Sequence, residues 1–208
     1  AFFEGGQING GPFGIDGNLI ATDASFRLDQ EVWVNGNFQL SGSDFREAKY
    51  LTVGLSSYLL NSSLNLGGNH TVGASLRAKN STLQLGEATL IGNALIAEGS
   101  NISVGGHLSV GRGVGLFNTA IVVGQSLSVG GNFKAVNSPT SVGSTFSIGT
   151  TVNLFNSPLN VGQTLSAAGG IRAENSPINV GANLTTGGNF SAQNSPVNVG
   201  KSLSVNGQ

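Results

Sequence analysis

The groups in this chain that could do chemistry are few: two histidines, carboxylates gathered near one end, and columns of hydroxyl and amide side chains. His70 and His107 stand 37 residues apart, the chain has no Cys, and no carboxylates are paired at ligand spacing. Zinc and calcium sites need three or more donors converging on one point, so no metal site is expected. The run Gly111-Arg112-Gly113-Val114-Gly115 has the glycine content of a phosphate loop. Such a loop must open a helix to bind phosphate, and none is expected here. No catalytic or cofactor-binding residues are therefore assigned, and the chain is expected not to be an enzyme. A hydroxyl column (Thr52, Thr71, Ser109, Ser128, Ser147, Ser166, Thr185, Ser204) and an amide column (Asn65, Gln84, Asn160, Asn179, Asn198) recur through the chain. The first is a single column made mostly of Ser, whereas an ice-ordering face calls for a matched double array of Thr. The second is expected to form amide ladders, which stabilise stacked strands without a ligand. Asn-x-Ser/Thr acceptors occur at Asn61, Asn69, Asn80, Asn101, Asn183 and Asn189 and matter only in a secreting eukaryote.

What positions these groups is a period of 19 residues. An Asn, once a Gly, opens each unit at Asn61, Asn80, Gly99, Asn118, Asn137, Asn156, Asn175 and Asn194. Numbering each unit from that residue, apolar side chains fall in pairs at positions 4 and 6, 10 and 12, and 16 and 18. Ile178 and Val180, Leu184 and Thr186, then Phe190 and Ala192 form one set. A spacing of two within each pair is that of a strand with one buried face. Gly recurs between pairs, at position 7 in Gly86, Gly105, Gly124, Gly143, Gly162, Gly181 and Gly200, and at position 13. These corner glycines are expected to supply positive φ at sharp bends. Gly and β-branched residues at such density disfavour helix. The fold expected is all-β, a triangular parallel β-solenoid of about eleven 19-residue coils with three short strands per coil and uncapped ends. Residues 1–208 form one domain, with divergent, more charged coils over 1–60 and regular coils over 61–208. At ~4.8 Å per stacked strand, eleven coils make a rod roughly 50 Å long.

Six inward positions hold polar residues: Glu47, Ser57, His70, Thr89, Thr140 and Thr186. The expected cause is a local bulge or slipped coil that turns them to solvent. The alternative is a small polar cavity around Glu47 and His70, since burying either without a partner is costly.

The phase of the termini points to assembly. Gln208 falls at position 15, just before a third strand, while Ala1, Phe2 and Phe3 fall at positions 17 to 19. The first residues of one copy are thus expected to complete the last coil of another. The expected subunit interface comprises Ala1, Phe2, Phe3, Phe13 and Ile15 at one end and Val197, Val199, Leu203 and Val205 at the other. A head-to-tail contact that does not close builds a filament. Residues 1–50 carry a net −4 and the remainder +3, which would orient approaching copies. The partner expected is therefore a further copy of this chain. A net charge of −1 gives no global field for nucleic acid, and no apolar run approaches the ~20 residues of a spanning helix. A chain that opens on Ala1 rather than Met is expected to have been processed, which favours export.

The phrases SLSVGGNF (126–133) and NLTTGGNF (183–190) and the 19-residue spacing resemble the repeats of filamentous-haemagglutinin-type adhesins. These are secreted right-handed β-helices of bacterial cell surfaces. The triangular coil is similar to that of bactofilins, which polymerise head-to-tail. The resemblance implies an extracellular or cell-surface fibre, or alternatively a surface adhesin stalk; an ice-binding module acting as a monomer is the other alternative.

Overall fold

The computed structural model describes residues 1–207, with the side chain of Glu47 and all of Gln208 outside the described residues. The described chain is all-β. It winds through 33 strands that stack as three parallel sheets of eleven, one strand of each sheet per coil. Sheet A collects positions 16–19, sheet B positions 3–6 and sheet C positions 9–12, as in Ser57–Leu60, Ser63–Leu66 and His70–Val72. Partners across each ladder are 19 residues apart, as Leu64↔Leu83 and Ile102↔Ile121 show. Like therefore stacks on like. Inside the triangle Leu66, Leu85, Val104, Val123, Val142, Val161 and Val180 form one buried column. Each such side chain contributes about 1.5–3 kcal/mol by leaving water. Large and small residues alternate across the narrow interior. Phe133 of sheet A meets Phe146 of sheet C edge-on at 4.9 Å, and the next inward residue on the same strand is the small Ala135.

The corners divide their work differently from the expectation. Positive φ falls on the opening residue of the unit, Asn61, Asn80, Asn118, Asn137, Asn156, Asn175 and Asn194 at 48–50°, with Gly99 in the same place at 58°. Asn tolerates this conformation because its short amide bonds locally. The position-7 glycines have no positive φ. They are needed for proximity: a Cβ on Gly105, Gly124, Gly143, Gly162, Gly181 or Gly200 would overlap the carbonyl oxygen of the glycine one coil below. Their own N–H groups donate to the coil beneath, as Gly143 N–H does to Val123 O at 2.9 Å.

A hydrogen-bonded spine runs beside the Asn corners. Position 2 is Ser or Thr in Ser43, Ser62, Ser81, Ser100, Thr119, Ser138, Ser157 and Ser176, all buried. Each hydroxyl accepts the N–H of the position-2 residue one coil below and donates to the carbonyl two residues before itself. Ser138 N–H reaches Ser157 Oγ at 3.0 Å, and Ser157 Oγ–H reaches Phe155 O at 2.7 Å. The buried position-2 hydroxyls are thus each paired as both acceptor and donor, as burial requires.

Two irregularities interrupt the period. At Glu47 the strand Asp44–Ala48 bulges, so that Leu66 pairs with Ala48 and Ala48 takes the inward slot. The first coil is one residue short: Phe3 pairs with Ala21 and Ile8 with Phe26, both 18 apart. That shift turns Phe3 inward and Phe2 outward, the reverse of the 19-residue frame.

Candidate functional site

Four places on the solenoid hold groups that could act: its two end faces, the polar side chains buried in its interior, and the outer surface of sheet A.

At the N-terminal end Ala1, Phe2 and Phe3 already belong to the first coil. The strand Phe2–Glu4 pairs with Leu19–Thr22 of the same chain. The Ala1 ammonium donates to Asn18 O at 2.6 Å. Phe3 lies edge-on to Phe26 at 5.5 Å and tilted against Phe13 at 6.2 Å. Phe3, Ile8, Phe13 and Ile15 are the half-buried floor of the core, while Phe2 points away from it and is 64% exposed. Ile8 was hidden from the sequence frame by the one-residue shortening. At the other end Phe190, Val197 and Val199 are half-buried, Leu203 is 51% exposed and Val205 38%. All of them occupy inward columns, since Leu203 stacks on Leu184 and Val199 on Val180. These side chains are exposed along the axis and not sideways, and the last strands of the three sheets each have an unpaired edge.

Polar residues stay inside, contrary to the expectation of a slip toward solvent. Ser57, His70, Thr89, Thr140 and Thr186 are all buried in inward slots. Thr186 Oγ–H donates to Gly169 O at 2.6 Å and Thr140 Oγ–H to Ser138 O at 3.4 Å. Ser57 Oγ, Thr89 Oγ1 and both ring nitrogens of His70 have no hydrogen-bond partner. Burial pushes the His70 imidazole down from 6.5 to about 4, because the charged form loses its hydration. The postulated pairing of His70 with Glu47 falls on a side chain outside the described residues. His107 lies on the outer surface of sheet C, His70 on its inner surface, so the two histidines do not converge. Among the described residues no three His, Asp or Glu side chains gather around a common point.

The outer surface of sheet A concentrates the remaining reactive character. Between residues 51 and 207 the charged residues borne by strands are Arg77, Lys79, Glu98, Lys134, Arg172 and Glu174, and all lie in this sheet. So do the exposed aromatics of that span, Tyr58, Phe117 and Phe155. Two grooves run between the outward rows at positions 17 and 19. One, of about 520 Å³, is walled by Tyr58, Leu60, Arg77, Lys79, Ile96 and Glu98; the other, of about 380 Å³, by Lys134, Asn153, Phe155, Arg172 and Glu174. Lys79 pairs with Glu98 at 3.4 Å and Arg172 with Glu174 at 3.6 Å. Lys134 holds its ammonium 5.5 Å over the Phe117 ring. Positions 17 and 19 are outward in the 19-residue frame, but each aromatic and its cation lie on different coils, and only the ladder sets them side by side.

The other surfaces are plainer. Sheet B carries amide ladders, with Asn179 Nδ2–H donating to Asn160 Oδ1 and Asn198 Nδ2–H to Asn179 Oδ1, both at 2.9 Å. The hydroxyl column lies on sheet C, where Leu90, half-exposed, breaks it between Thr71 and Ser109. No family model, curated protein or solved structure matches this chain, so function is read from its own geometry.

Proposed function

We propose that this chain is a structural rod that assembles head-to-tail with copies of itself into a filament, in an extracellular or cell-surface setting. The observation that carries this reading is the pair of end faces. Phe3, Phe13 and Ile15 at one end and Val199, Leu203 and Val205 at the other present apolar core along the axis, bordered by unpaired strand edges. An exposed flat edge of this kind templates further strands. The same number of strands in each sheet keeps A over A, B over B and C over C when one copy is placed on the next. The −4 charge of residues 1–50 against +3 for the rest favours head meeting tail over head meeting head. The likeness to adhesin and bactofilin repeats supports the setting and the mode of assembly. Phe3, and not Phe2, is the aromatic that would enter the joint.

Negative-stain electron microscopy across a concentration series tests this. Unbranched filaments with an axial period of about eleven strand spacings, ~50 Å, are expected. The variant Leu203→Glu/Val205→Glu, which places carboxylates in the joint and leaves the preceding coils intact, should give only short rods. Monodisperse short rods from the unaltered chain at every concentration would overturn the proposal.

A further inference from the structure

From the outer surface of sheet A, we infer a binding site for a linear acidic polysaccharide, one whose sugar rings carry carboxylates, lying along the solenoid axis. The inference is independent of assembly.

Three aromatic–cation pairs carry it: Tyr58 with Arg77, Phe117 with Lys134, and Phe155 with Arg172. In each, the cation stands on the coil next to its aromatic. Tyr58 and Arg77 are direct partners in the ladder, Lys134 covers the Phe117 ring, and Phe155 lines the same groove as Arg172. Along the sheet the pairs are separated by three and then two strand spacings, about 14 and 10 Å at ~4.8 Å each. A ligand must therefore be extended, parallel to the axis, and alternate apolar with anionic groups. Pyranose rings meet these demands. Their C–H faces stack on aromatic rings, and a carboxylate on the ring reaches the guanidinium of Arg77 or Arg172 as a charge-assisted, two-point contact. Glu98 and Glu174, each beside a cation, are placed to accept hydrogen bonds from sugar hydroxyls.

Charge complementarity selects among anionic partners. From residue 51 onward, the stretch that holds the three pairs, the strand-borne charges of this face sum to +2, against −1 for the whole chain; Glu4, on the first strand of the sheet, lies outside that stretch. A nucleic acid neutralised through some 6–10 phosphates needs a denser row of cations than the four on this face. An anionic bilayer favours a cluster of several cations at one place, whereas here they are spread along the rod.

The test is calorimetric titration with a galacturonate oligomer, a neutral glucose oligomer of the same length, a single-stranded DNA oligomer, and vesicles containing phosphatidylserine. Galacturonate should bind and the other three should not. The triple variant Arg77→Gln/Lys134→Gln/Arg172→Gln should weaken galacturonate binding by about tenfold or more. Arg112→Gln/Lys201→Gln, at corners outside the face, should leave it unchanged. Tyr58→Ser/Phe117→Ser/Phe155→Ser should also weaken it, with far-UV circular dichroism confirming that each variant keeps its strands. Absence of galacturonate binding, an unaffected triple cation variant, or equal binding of DNA or vesicles would overturn the inference.

Discussion

The coils between Ser43 and Ile91 and those between Asn118 and Gly200 share one ladder and differ in how well it is filled. In the later stretch the position-7 glycines Gly124, Gly143, Gly162, Gly181 and Gly200 lie close on a carbonyl of the coil below. The buried Thr140 and Thr186 there find acceptors. In the earlier stretch a bulge at Glu47 shifts the pairing, Gly67 has open space where a Cβ would go, and Ser57, His70 and Thr89 are buried without partners. Yet His70–Val72 pairs in unbroken register with the strands on either side. The lesson is that backbone pairing every 19 residues defines the fold, while side-chain filling modulates its stability coil by coil. Parallel ladders satisfy their amides whatever the side chain, so a core defect costs stability and leaves the path of the chain intact.

The sharpest way to break that comparison is to add bulk at equivalent corners. Gly143→Val drives a branched side chain into the Gly124 carbonyl and should cost about 3 kcal/mol or more. Gly67→Ala, at the same position of the loosely filled coil, should stay within about 0.5 kcal/mol of the parent. Urea unfolding of both variants measures the difference, and equal effects would show that the corners are not held by proximity.

A second probe uses pH. His70 is neutral when folded, with its pKa lowered to about 4, and takes a proton below 6.5 once unfolded. Its contribution is present in full above pH 6.5 and is lost as pH falls from 6.5 toward 4. That loss amounts to about 3 kcal/mol across the window. His70→Leu should remove this part of the pH slope, seen as a difference between the two proteins' unfolding free energies at about pH 7.5 and pH 4.5. Parallel pH profiles would mean that His70 reaches water.

The third probe, with a smaller loss than Gly143→Val or the His70 window, lies in the regular stretch. Ser138→Ala removes the acceptor of Thr119 N–H, a 3.0 Å bond, and the donor to Val136 O, a 2.7 Å bond. Leaving a buried N–H unpaired costs about 1–3 kcal/mol, while Ser138→Thr should restore the spine, as Thr119 already serves in it. Melting temperatures of the two variants decide this, and a neutral Ser138→Ala would remove the spine from the account.

Much was legible in the repeat. Spacing of two within apolar pairs and a strict 19-residue period placed the inward columns, the three strands per coil and the amide ladder of Asn160, Asn179 and Asn198, because stacking identical units leaves little freedom of register. Three features were not legible. The hydrogen-bonded spine of position-2 Ser and Thr was one, since only the stacked coils bring each hydroxyl to a neighbour's N–H. The outer face of sheet A was hidden because Tyr58, Phe117 and Phe155 fall at positions 17 and 19 of widely separated units, and only the ladder sets each beside a cation. The shortened first coil moved Phe3 into the place assigned to Phe2, because a single missing residue inverts every side chain of a strand.

By itself, then, the sequence determined the period, the strands and which columns face inward, since these follow from side-chain alternation and need no knowledge of distance. Only the tertiary structure decided why the corners are glycine, where positive φ falls, and whether a buried polar group finds a partner. Each of those depends on atoms one coil away, 19 residues along the chain but a single strand spacing, ~4.8 Å, through space.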